Sequence, residues 1–149
     1  MTDPKTPAGV SATIGSRRLL QRAVAARQGR LTKAFQLAGA IAHNDVLTWH
    51  SPLGTEGYKE YRDTSALAKL GVVHRLKTPL SEFWPARGAV WDGLATTHLG
   101  VPVLVEAKAH IPEAASTSCK ASPGSLAKIQ KSLNEAKRAI APKRRANWS

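Results

Sequence analysis

The sequence contains a single cysteine, Cys119, among 149 residues. One cysteine excludes an intramolecular disulfide, and it excludes every zinc site built from several cysteines. A lone thiol is compatible with a reducing compartment, and we expect a cytoplasmic protein.

Long apolar runs are also missing. None approaches the roughly 18 residues that a membrane-spanning helix requires, so we expect no membrane partner. The first residues, MTDPKTPAGVSATIG, contain no continuous apolar stretch of the kind that a secretory signal needs. Residues 1–44 are Arg-rich and hold one acid, Asp3, which leaves an organellar transit peptide open as an alternative.

Acidic residues are scarce relative to basic ones. The 10 acids face 22 lysines and arginines, which gives a formal net charge of +12. Such a charge favours polyanionic partners, with nucleic acid ahead of an anionic membrane surface. A solvated basic surface or an acidic protein partner would give the same composition. We expect nucleic acid, with DNA in preference to RNA.

The length fits one domain. Residues 1–15 are irregular in pattern and predict a flexible arm, which leaves 16–149 as a single domain. Apolar spacing predicts three helices: one from Arg17, capped by Ser16 and weakened at Gly29, one over Tyr58–Leu70, and one over Leu126–Ile140. A short strand is expected near Val46–His50, and two strand-like runs lie within Phe83–Ile111. The pattern predicts an α/β (α+β) fold with helices packed on a small sheet.

Charged residues interrupt both strand-like runs of Phe83–Ile111, on either side of a turn at His98–Gly100. Asp92 lies in the first run, and Glu106 and Lys108 lie in the second. Residues two apart on a strand project to one face, so Glu106 and Lys108 point the same way. Isolated buried charge is expensive, which suggests that the three residues act together.

Carboxylate oxygens are the ligands that hard divalent cations prefer, and such a cation can drive phosphodiester cleavage. Asp92 and Glu106 on adjacent antiparallel runs can converge on one ion, and Lys108 can stabilise charge on the phosphate. The alternative is a half-buried strand whose polar face meets water, with Glu106 and Lys108 as a weak surface pair. Glu60 has two interpretations as well. It reaches this acidic group, or it complements the dipole of its own helix.

The order Asp92, then Glu106-Ala107-Lys108, resembles the core of the PD-(D/E)XK (restriction-endonuclease-like) nuclease superfamily. The stretches SPLGTEGYKEYRD, FWPARGAVWDGLA and VLVEAKAHIPE are similar to a group of uncharacterised bacterial members. The resemblance implies a small mixed central sheet with flanking helices, a magnesium site in which manganese could substitute, and hydrolysis of DNA or RNA.

By position, the resemblance makes Asp92 and Glu106 metal ligands, Lys108 the catalytic lysine, and Glu60 a further helical metal ligand. Trp91 stands where many members have proline. Members of the group continue past the position of Trp148 with another helix and a strand, so the resemblance implies a C-terminally shortened copy. The alternative function is a non-catalytic, basic nucleic-acid-binding protein that retains the nuclease fold.

Overall fold

A computed structural model describes residues 12–114 and 119–141. Its helices are α1 (Gly15–Ala26), α2 (Gln28–Leu37), α3 (Asp63–Lys69), α4 (Leu80–Phe83), α5 (Ile111–Ala114) and α6 (Pro123–Ile140). Its strands are β1 (Leu47–Ser51), β2 (Tyr61–Arg62), β3 (Val90–Trp91), β4 (Gly93–Thr97) and β5 (Pro102–Val105). The predicted arm lies outside the described residues up to residue 11, as does the tail around Trp148. Within the described ranges, no helix has both the length and the apolar character needed to cross a membrane.

The strands form two small sheets. One has the order β1-β4-β5 and the other is the pair β2-β3. Together with the helices they confirm the α+β class. The expected mixed sheet was wrong for the described strands, because every strand pair among them is antiparallel. The reason is local for β4 and β5, since the tight turn ending at Gly100 (φ 72°) reverses the chain between them.

In the hairpin of β4 and β5, the second run has two faces. Val103, Val105 and Ala107 are half-buried and pack on the core, whereas Glu106 and Lys108 are exposed. One detail differs. β5 ends at Val105, so the two charged residues follow the strand in an extended continuation.

The predicted N-terminal helix is present as two helices. The break falls at Arg27 (φ −142°, ψ 33°), and Gly29 lies within the first turn of α2. Leu20 and Val24 of α1 belong to the main core together with Trp49 of β1. The apolar spacing therefore identified the buried face correctly, although it misplaced the break by two residues.

The helix predicted over Tyr58–Leu70 was wrong in its first half. Gly57 and Tyr58 both have left-handed backbone angles (φ 62° and 59°), which a continuous helix does not tolerate. The chain then extends through β2, which pairs with β3, and α3 begins only at Asp63. Glu60 therefore lies directly before β2 and outside any helix, so the dipole explanation for this acid no longer applies.

The C-terminal helix was predicted correctly. The Ser122 hydroxyl caps α6 by accepting from the Ser125 N–H at 3.4 Å. Two side chains of α6 tie it to α4, because buried Ser132 donates to the Phe83 carbonyl and Lys128 donates to the Ser81 carbonyl at 2.9 Å.

Candidate active site

Asp92 is the only residue between β3 and β4, so it joins the two sheets. On the side of the smaller sheet, the adjacent strand pair places Tyr61 opposite Trp91. The ladder ends at this pair, and Glu60 and Asp92 are the next residue of each strand beyond it.

The larger sheet repeats this arrangement on the other side. Gly93 pairs with Val105 at the end of that ladder, and Asp92 and Glu106 are the next residues beyond the pair. Glu60, Asp92 and Glu106 thus all lie just beyond the ladder ends where the two sheets meet. We call these three residues the acidic row.

The Asp92 carboxylate is held by backbone. Its Oδ2 accepts a hydrogen bond from the Ala107 N–H at 2.8 Å, which fixes the chain between Glu106 and Lys108. The next residue, Gly93, is pressed against the core, since an added Cβ would lie 2.9 Å from Cζ3 of Trp49. The central member of the acidic row is therefore anchored from two directions.

Glu106 and Lys108 form an ion pair, with Nζ 2.7 Å from Oε1. Their side chains are 48% and 39% exposed. A pair this open to water contributes about 0–1 kcal/mol to folding, which is what the surface-pair alternative predicted. The contact nevertheless keeps the ammonium beside the acidic row.

Glu60 is the most enclosed member of the ion pairs near this junction. Its side chain is 15% exposed, and its carboxylate pairs with the Arg17 guanidinium of α1. Burial raises the pKa of Glu60, the neighbouring Arg17 charge opposes that rise, and the carboxylates of Asp92 and Glu106 add to it. All three acids therefore lie within electrostatic reach of one another.

The chemistry of these residues fits a hard divalent cation, because the donors are all carboxylate oxygens. Their present spacing is less favourable. Among the described residues, no three His, Cys, Asp or Glu side chains lie close enough together to hold one ion. Arg17 and Lys108 neutralise Glu60 and Glu106 in this arrangement, so joint coordination would require those cations to move aside.

Sequence reasoning missed the role of Arg17. It appeared as one of several basic residues along an amphipathic helix, with nothing in the spacing to single it out. Its partner Glu60 lies far along the chain, and only the packing of α1 against the sheet brings the two together. The sequence carries no local signal for such a pair.

A second polar group, also missed, lies around Tyr61. Its hydroxyl donates to Oε2 of Glu56 at 2.7 Å, and Lys69 pairs with the other carboxylate oxygen. The ammonium groups of Lys59 and Lys69 lie 5.2 and 5.4 Å from the centre of the Tyr61 ring. The hydrogen bonds from Lys69 and Tyr61 lower the pKa of Glu56. This group fastens α3 to the turn before β2.

No protein-family model, no curated protein and no solved structure matches this chain.

Proposed function

We propose that this chain is a metal-dependent, nuclease-like protein that hydrolyses phosphodiester bonds in nucleic acid. The main support is the acidic row, in which the carboxylates of Asp92 and Glu106 act on Glu60 and Lys108 is paired with Glu106. The resemblance to PD-(D/E)XK nucleases assigns the same residues to the site, and we propose membership of that superfamily together with the activity. We expect magnesium, with manganese as a substitute.

Asp92, Glu106 and Glu60 would hold the cation. When bound, it would neutralise phosphate charge and lower the pKa of water. One oxygen of Asp92 accepts from the Ala107 N–H, so the orientation of this carboxylate is set beforehand. Lys108 would leave Glu106 for a phosphate oxygen and stabilise the negative charge that grows during cleavage.

The surface beside the acidic row favours a polyanion. Neither α1 nor α2 contains an acid. Their exposed cations are Arg17, Arg18, Arg22, Arg27, Arg30 and Lys33. Such a surface attracts the phosphate backbone without regard to sequence. We propose DNA as the preferred substrate and, because the one cysteine is an exposed thiol, the cytoplasm as the location.

A non-catalytic nucleic-acid-binding protein is the second candidate. Two observations favour it. Both flanking acids of the row are already paired with cations, and no three-ligand group forms among the described residues. In that case binding would be strongly salt-dependent and indifferent to a chelator.

Calorimetric titration with Mg²⁺ or Mn²⁺, together with cleavage of labelled DNA and RNA, separates the two candidates. We expect wild type to bind metal and cut, and Asp92→Asn, Glu106→Gln and Lys108→Ala to lose cleavage. Glu135→Gln is the matched control, since Glu135 is an exposed acid on α6 whose contact is with Lys131. The second candidate is supported if folded wild-type protein binds nucleic acid but binds no metal and does not cut the nucleic acid.

A further inference from the structure

A cavity of about 560 Å³ lies beside α1. Small-molecule sites in proteins commonly have volumes of about 300–1,000 Å³. Side chains of α1 from Arg18 to Ala26, together with Arg27, form most of its wall, and Tyr58 lines it from the turn before β2. The cavity therefore has room for a ligand the size of one nucleotide.

The cavity is strongly cationic. Arg18, Arg22 and Arg27 line it, and no acid is among its described lining residues. The Arg18 guanidinium is oriented by a hydrogen bond that it donates to the Thr13 carbonyl. Guanidinium groups present paired donors that match phosphate oxygens. The charge indicates a phosphate-bearing ligand.

Gln21 adds a buried donor to the same wall. The residue is 3% exposed. Its Oε1 accepts from the Ala12 N–H at 2.9 Å, whereas its Nε2 has no hydrogen-bond partner within the described part of the chain. A buried amide that lacks an acceptor destabilises a protein, so the wall of the cavity holds an unmet donor.

Tyr58 supplies an aromatic face. Its left-handed backbone (φ 59°) is uncommon for a bulky residue, and a hydrogen bond from its N–H to the Leu53 carbonyl at 2.8 Å holds that conformation. The strained turn places Tyr58 in the cavity wall, with one edge of its ring over Gly54. Bases of single-stranded nucleic acid stack on aromatic side chains in this way, regardless of sequence.

We propose that the cavity binds one unstacked nucleotide of single-stranded nucleic acid, with its phosphate on Arg18 and Arg22 and its base against Tyr58. The cavity adjoins the acidic row through two short segments. Arg17, which pairs with Glu60, immediately precedes Arg18, and Tyr58 lies two residues before Glu60. The inference rests on the proposed function for its ligand class, but binding here requires no cleavage.

Fluorescence anisotropy of a short labelled oligothymidylate in the presence of EDTA tests the cavity without turnover. We expect Arg22→Gln and Tyr58→Asn each to weaken binding by about tenfold, and Tyr58→Phe to leave it unchanged. Asparagine suits the left-handed backbone at this position, so the variant removes the ring without adding strain. Arg30→Gln is the matched control, because Arg30 is exposed on α2 and does not line the cavity.

Equal, small losses for Arg22→Gln, Tyr58→Asn and Arg30→Gln would overturn the inference and leave only a diffuse basic surface. Binding of the matching duplex as tightly as the single strand would also overturn it, since a paired base cannot reach Tyr58. The cleavage assay reports separately. Wild type that binds through Arg22 and Tyr58 but never cuts contradicts the nuclease proposal and supports the cavity. Cleavage by wild type that neither Arg22→Gln nor Tyr58→Asn reduces supports the nuclease proposal and contradicts the cavity inference.

Discussion

Asp92 and Ala107 are joined by a hydrogen bond in which the Ala107 N–H donates to the Asp92 carboxylate at 2.8 Å. The bond spans the end of the hairpin and ties the residue between the two sheets to the residue between Glu106 and Lys108. A single carboxylate thus has a structural role through one oxygen and, in our proposal, a metal-binding role through the other.

The two roles of Asp92 separate by substitution. Asp92→Asn keeps an oxygen that can accept from Ala107 but loses the negative charge, whereas Asp92→Ala loses both. We expect Asp92→Ala to be less stable than Asp92→Asn by about 1–2 kcal/mol, as measured by urea unfolding, with both variants inactive in cleavage. Equal stability of the two variants would show that the Ala107 bond does not help hold the hairpin end.

Gly93→Ala should destabilise the protein by about 1–3 kcal/mol. Its new Cβ would lie 2.9 Å from Trp49 and 3.3 Å from Leu20 and Val105, all in or beside the packed core. Gly29→Ala is the control. Nothing lies within 4 Å of a Cβ at Gly29, and replacing glycine in a helix should stabilise by about 0.5–1 kcal/mol. Urea unfolding of both variants tests the contrast, and a loss at Gly29 as large as at Gly93 would contradict it.

The raised pKa of Glu60 predicts a definite pH dependence of stability. Because the folded state holds this proton more tightly than the unfolded chain does, the stabilising contribution is complete below pH 4.5 and declines as the pH rises through the folded pKa. The free energy of unfolding of Glu60→Gln minus that of wild type should therefore increase from pH 4 towards pH 7, because wild type loses this contribution and the variant does not. A difference that stays constant or falls over this interval would count against the burial of Glu60 beside two other acids.

Glu56 should show the opposite trend. Its pKa is lowered by hydrogen bonds from Lys69 and Tyr61, so its contribution is present above pH 4.5 and is lost as the pH falls through the folded pKa. Glu56→Gln should cost most stability near neutral pH and progressively less in acid. Urea unfolding of Glu56→Gln and Glu60→Gln at the same pH values checks both trends, since the stability difference from wild type should change with pH in opposite directions for the two variants.

Local patterns predicted the features that local physics determines. The two-residue period after the turn at Gly100 placed Glu106 and Lys108 on one face, and apolar spacing predicted a helix over Leu126–Ile140, which α6 contains. The α+β class followed from the order of these elements. The register that pairs Gly93 with Val105 and leaves Asp92 and Glu106 just beyond this pair was within reach of the sequence, because one tight turn sets it.

The position of Glu60 was out of reach for a different reason. Its surroundings have helical spacing, but two left-handed residues, Gly57 and Tyr58, stop a helix from forming, and pairing of β2 with β3 then extends the chain. Long-range pairing overrode local preference here. The pairing of Arg17 with Glu60 and the cavity beside α1 likewise depend on how distant segments pack.

The single-residue connection between β3 and β4 has a mechanical consequence. Asp92 is the only residue between β3 and β4, and Leu94 of β4 packs with Tyr61 and Trp91 of the smaller sheet. The angle at which the two sheets meet is therefore held by the chain at Asp92 and by this packing, and the spacing of the acidic row depends on that angle. Any ligand that draws the three carboxylates together must also set the angle between the sheets.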